Sequence, residues 1–118
     1  MMLRALVLAA MTMQAGIAWA HAFLEHAVPP VGSTVASAPD RVSLRFTQRL
    51  EPAFSRVQVL DAAGKRVDRD DSTVLGYDAA LLTTSVGPLA PGRYIVKWRV
   101  LSVDTHVTEG DYAFTVQP

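Results

Sequence analysis

The stretch RYIVKWRVL, Arg93 to Leu101, carries the plainest structural signal in the chain. Tyr94, Val96, Trp98 and Val100 occupy alternate positions, and Lys97 and Arg99 fall between them, so one face is apolar and the other charged. A period of two marks a half-buried β-strand, because successive side chains leave a pleated chain on opposite sides. Working outward, the breaker run Gly87-Pro88-Leu89-Ala90-Pro91-Gly92 bounds this strand on its N-terminal side. Beyond it, GDYAFTVQ closes the chain with Tyr112, Phe114 and Val116 inward. Upstream, Val42, Leu44 and Phe46 alternate with Ser43, Arg45 and Thr47, and FSRVQVLD (54–61) sets Val57 and Val59 on one side. Asp61-Ala62-Ala63-Gly64 supplies a turn, KRVDRD (65–70) reads as a more polar strand, and ALLTT (80–84) as a short one. DSTVLGYDA, 71–79, reads as a loop. With HAFLEHAV (21–28) the total is about seven strands and no amphipathic helix, an all-β domain. The spacing fits a two-sheet antiparallel sandwich or a small Greek-key barrel.

The first 20 residues stand apart. Arg4 precedes an apolar run from Ala5 to Trp19, which ends in Ala18-Trp19-Ala20. A charged start, an apolar middle and a small-x-small end form the pattern of a secretory signal peptide. The run is shorter than the ~20 residues a spanning helix needs. Cleavage after Ala20 is therefore expected, with 1–20 as signal peptide and 21–118 as the mature domain, exported to the periplasm or cell exterior. Removing 20 of 118 residues leaves 98, enough for one core. Arg4 leaves with the signal, so 10 of the 11 Lys+Arg face 11 Asp+Glu, a formal charge of −1. That balance, without a basic stripe, speaks against nucleic acid as a partner. The chain has no cysteine, and its four methionines (Met1, Met2, Met11, Met13) all lie in the signal, so the mature domain offers a metal no sulfur.

Three histidines remain: His21, His26 and His106. Cleavage would give His21 a free α-amine, which with ring Nδ1 can close a chelate on one metal ion. Asp104 and His106 follow the strongest strand in SVDTH (102–106), and in extended chain residues two apart share a face. Together these residues offer nitrogens and one carboxylate oxygen. Such a set suits Cu(II), which also tops the divalent affinity order, whereas zinc prefers a tetrahedral arrangement. The plain alternatives are a histidine placed by chance after a cut site and an aspartate serving an ordinary turn. His26 reads as a solvent-facing histidine on an edge strand, or else a group close behind the metal ligands or a weak extra ligand, and Trp98 as a core residue.

From His21 onward the order HAFLEHAVPPVGSTV, APDRVSLRFTQRLEPAFSRVQVLDAAGKRV, PLAPGRYIVKWRVLSVDTH and GDYAFTV resembles the CopC family of periplasmic copper-binding proteins. The most specific features are the histidine at the cut site, the block Pro30, Gly32, Ser33, and the alternating Gly92, Tyr94, Val96, Trp98, Val100, Ser102, Asp104 and His106. The resemblance implies a cupredoxin-like or immunoglobulin-like Greek-key β-fold. It also implies one Cu(II) per mature chain, held by His21 (amine and Nδ1), Asp104 and His106. A role in copper homeostasis or resistance follows, beside an inner-membrane partner of the CopD type, with a monomer expected. Two departures stand out. Some members carry an acid close to the copper, two residues after the phenylalanine matched by Phe46; Gln48 stands there, able to orient a water without adding charge, and Glu51 lies off that register. Some members also carry a methionine-rich Cu(I) site, which a mature chain without methionine cannot form.

Two other functions compete with a Cu(II) carrier that is not an enzyme. A small copper monooxygenase could use the same histidine brace, but a carboxylate on the metal would block oxygen and favour Cu(II) over its reduced form. A metal-free exported structural domain would show no change in melting temperature with copper, where a tightly held ligand stabilises the fold.

Overall fold

The computed structural model describes residues 22–118, and His21 with the proposed signal segment lies outside them. Among the described residues eight strands form: β1 Leu24–Val28, β2 Thr34–Val35, β3 Arg41–Phe46, β4 Arg56–Asp61, β5 Thr73–Leu75, β6 Asp78–Ser85, β7 Gly92–Leu101 and β8 Val107–Val116. They build two four-stranded sheets, in the orders β1-β3-β6-β5 and β2-β8-β7-β4. The chain crosses between the sheets at every connection from β1 to β5 and again between β6 and β7, and only β5–β6 and β7–β8 follow one another within a sheet, which makes an all-β Greek-key sandwich. All pairings are antiparallel except β2 with β8, where Thr34 and Val35 run parallel to Thr115 and Val116.

Alternation supplies the core. Val42, Leu44 and Phe46 of β3 and Leu82 of β6 point inward from one sheet. Val57 and Val59 of β4, Tyr94, Val96 and Val100 of β7, and Tyr112, Phe114 and Val116 of β8 meet them from the other. Trp98 is half-buried against this cluster, edge-on to Phe46 with ring centroids 6.1 Å apart. The β7–β8 hairpin is the longest ladder, running from Gly92 opposite Val116 to Leu101 opposite Val107. No helix among the described residues is long and apolar enough to cross a membrane.

Two sequence readings need correction. KRVDRD is not a strand: it touches β4 and the end of β6 through single bridges, Leu60 with Arg66 and Asp68 with Val86. Its Asp68 carboxylate accepts the Val59 N–H at 2.9 Å and an Arg66 bond at 2.7 Å. A side chain thus takes a ladder position. The supposed loop at 71–79 contains β5, which pairs with β6 through Thr73–Thr83 and Val74–Leu82 and buries Val74.

Candidate metal centre

The β7–β8 hairpin closes over Ser102 to His106, and the two expected ligands sit in that turn. Asp104 and His106 do come together, with Asp104 Oδ1 3.3 Å from His106 Nδ1. The cause is not the one the sequence suggested. The segment is folded rather than extended: Thr105 N–H donates to Ser102 O at 2.9 Å and Ser102 N–H to His106 O at 3.0 Å. Thr105 takes a positive φ of 74°, a conformation unfavourable for a β-branched residue. A turn therefore makes the pair, and strained backbone at one residue is part of how it is made.

Ser102 organises the turn from within. It is fully buried, and its hydroxyl donates to Asp104 Oδ1 while its own Oγ accepts the His106 N–H at 3.3 Å. Hydrogen bonding from Ser102, and then the neighbouring His106, holds the Asp104 carboxyl below the usual carboxylate range against the opposing effect of desolvation. Asp104 is thus an anion at neutral pH. Its other oxygen, Oδ2, is the buried side-chain oxygen without a hydrogen-bond partner among the described residues. A buried carboxylate oxygen left unpaired is costly unless something of opposite polarity meets it.

Two further segments converge on this end. The chain from Thr47 to Glu51 runs beside the turn, with Val103 N–H donating to Arg49 O at 3.0 Å and Leu50 bridged to Ser102. Gln48 lies on this segment, half-buried. The first described residues lie on the other side: Ala22 is buried, and Thr108, two residues past His106, bonds to its carbonyl. His26 is exposed on β1, at the edge of its sheet and opposite Arg45, as a solvent-facing histidine. Among the described residues no three His, Cys, Asp or Glu side chains group closely enough to hold a metal. Asp104 and His106 are a pair, and the third expected donor, His21, lies outside the described residues. In the sequence Ser102 stands out only as a motif position, and nothing marks Thr47 or Thr108 as site residues. The Thr47 and Thr108 hydroxyls act on residues 24 and 86 positions away, which no local pattern records, whereas Ser102 acts within its own turn.

Known proteins resemble this chain throughout the described fold. A family model for the CopC domain matches residues 24–117. The crystal structure of CopC from Methylosinus trichosporium OB3b is 43% identical, with a TM-score of 0.78, over 83% of this chain and 95% of that one. PcoC, a methionine-rich copper resistance protein from Escherichia coli, is 31% identical with a TM-score of 0.71, over 83% of this chain and 100% of that one. Protein YobA of Escherichia coli K12 is 33% identical over 100 residues, 84% of this chain and 81% of its own length.

Proposed function

The chain belongs to the CopC family, and from that premise we propose that it is an exported Cu(II)-binding protein whose copper is cargo. Residues 1–20 are removed as a signal peptide, and the domain 21–118 holds one ion in the periplasm through the amine and Nδ1 of His21, Asp104 and His106. One observation carries the reading: the anionic Asp104 beside His106, with Oδ2 buried and unpartnered. A cation at this place would answer that oxygen. His106 turns Nδ1 toward Asp104, which leaves Nε2 as the nitrogen to offer a metal. The burial of Ala22 against β8, just past His106, supports His21 as the third ligand. Nitrogen and carboxylate donors without sulfur favour Cu(II) over Cu(I), so the methionine-rich character named for PcoC is not shared by residues 21–118.

We read the protein as a carrier or buffer in copper homeostasis or resistance, and not as an enzyme. A carboxylate ligand stabilises Cu(II) against the reduction that oxygen chemistry would require. A CopD-type inner-membrane protein is the proposed recipient or donor. The exposed Phe23, Phe54, Val103 and Val107 at the ligand end offer such a partner an apolar rim around a monomer.

Competition titrations on the processed chain test the ligand set. Asp104→Ala and His106→Ala should both weaken Cu(II) binding, His106→Ala more, because it removes the softer donor. Parent affinity in either variant, or a larger loss from Asp104→Ala, contradicts the assignment.

A further inference from the structure

A chain terminus is ordinarily the least ordered part of a domain. A terminal residue that serves as a metal ligand must be ordered when the metal binds, and the entropy of ordering it is subtracted from affinity. The first described residues here are not left loose. Ala22 is 1% exposed, and its carbonyl accepts a hydrogen bond from Thr108 Oγ1 at 2.8 Å across 86 positions of sequence. Phe23 is held from the other side: its N–H donates to Thr47 Oγ1 at 3.0 Å, and its carbonyl accepts the Thr47 N–H at 2.9 Å.

Thr108 differs from Thr47 in where it stands. It lies on β8, opposite Val100 in the ladder and two residues beyond His106. A single side-chain bond therefore joins the residue after His21 to the strand that begins after His106. A threonine in a strand has few χ1 choices, so its hydroxyl is aimed before any ligand arrives. We propose that Thr108 is a positioning residue that ties the start of the processed chain to the hairpin bearing Asp104 and His106, so that both halves of the copper site are assembled in advance. This inference rests on the brace reading above and adds what holds the brace in place. The bond involves no titrating group and no contact with the metal.

The test uses the chain beginning at His21, which keeps every described residue of the fold. Thr108→Val retains shape and strand propensity but removes the donor, and Thr108→Ser restores it. Cu(II) affinity is read by competition with a chelator, the copper environment by electron paramagnetic resonance, and the metal-free terminus by amide exchange at Phe23 and Leu24. Thr108→Val should lose about tenfold to a hundredfold in affinity, the range for residues that orient a ligand from behind. It should also exchange faster at Phe23, while Thr108→Ser keeps the parent values. Parent affinity and exchange in Thr108→Val overturn the proposal. So does an equal loss in Thr108→Ser, which would place the effect in the methyl group. A parent chain carrying one extra N-terminal glycine separates the two ideas. If that chain binds as tightly as the parent, the brace reading falls, and the exchange measurement alone judges whether Thr108 holds the terminus.

Discussion

An alanine at position 110 would have to share its space with the Trp98 indole. Gly110 faces Trp98 directly across the β7–β8 ladder. A Cβ built on it lies 2.8 Å from both Cε2 and Cη2 of the ring, and closer still to Cζ2. Carbon atoms pack best at about 3.5–4.0 Å, so the ring or the strand must shift by roughly 1 Å. The ring has little room to do so, being edge-on to Phe46 at 6.1 Å and tilted against Tyr112 at 6.3 Å. Overpacking of this kind costs about 1–3 kcal/mol, and losing the aromatic contact adds about 0.5–1.5 kcal/mol. Removing a flexible glycine from a strand offsets about 0.5–1 kcal/mol. These ranges combine to a net loss of about 0.5–4 kcal/mol, centred on about 2 kcal/mol. At about 4–8 °C per kcal/mol for a domain of this size, a loss of about 2 kcal/mol lowers the melting midpoint by roughly 8–16 °C. Calorimetry measures the shift, and Trp98, the only tryptophan in residues 21–118, reports its own displacement by fluorescence. Gly110→Ala should lose less stability in a Trp98→Leu background than alone, since the smaller side chain leaves space. A midpoint within about 2 °C of the parent, with unchanged emission, would refute the packing argument.

Ser102→Ala removes the donor to Asp104 and the oxygen facing the His106 N–H, so Cu(II) affinity should fall about tenfold to a hundredfold by competition titration; parent affinity would show that the turn holds its ligands without it. Bonds from the Ser85 hydroxyl and N–H, and then from Thr84, bring the Asp71 carboxyl down to about 2. Its folded value being depressed, Asp71 stabilises the fold above its unfolded value of about 3.9 and loses that contribution as pH falls through 2. Asp71→Asn should therefore melt below the parent at pH 7, with the gap closing between about pH 4 and 2; a gap independent of pH would contradict the linkage. Copper affinity itself should decline as pH drops from about 8 to 6, the range in which amine and imidazole take up protons. A flat profile from pH 8 to 5 would exclude the brace.

The strands were legible where one face is buried and the other wet. In β7 the alternation of Tyr94, Val96 and Val100 with Lys97 and Arg99 left no other reading, and β3 and β8 follow the same rule. β5 escaped because three residues ending at a Gly76 turn carry too little pattern, and its one buried side chain, Val74, gains meaning only from pairing with Leu82. KRVDRD misled because its alternating polarity imitates a strand, while its Asp68 carboxylate bonds the Val59 N–H in place of a backbone carbonyl. At the site, Asp104 and His106 do lie side by side, but not through the extended geometry that their spacing suggests. Strand periodicity cannot reveal that Thr105 turns to φ 74° and folds them together. Ser102, Thr47 and Thr108 illustrate the remaining limit. A hydroxyl announces no partner, and the bond from Thr108 to Ala22 exists only once β8 lies beside the start of β1.

If proteolysis creates the copper ligand, two processed chains, one beginning at His21 and one with a single glycine before it, must differ in how they bind copper. Cu(II) titration followed by electron paramagnetic resonance should give the first chain one tightly held ion with nitrogen-rich tetragonal coordination. The glycine-extended chain should lose both the affinity and the spectrum. Equal binding and identical spectra in the two chains would contradict the account and place the copper elsewhere.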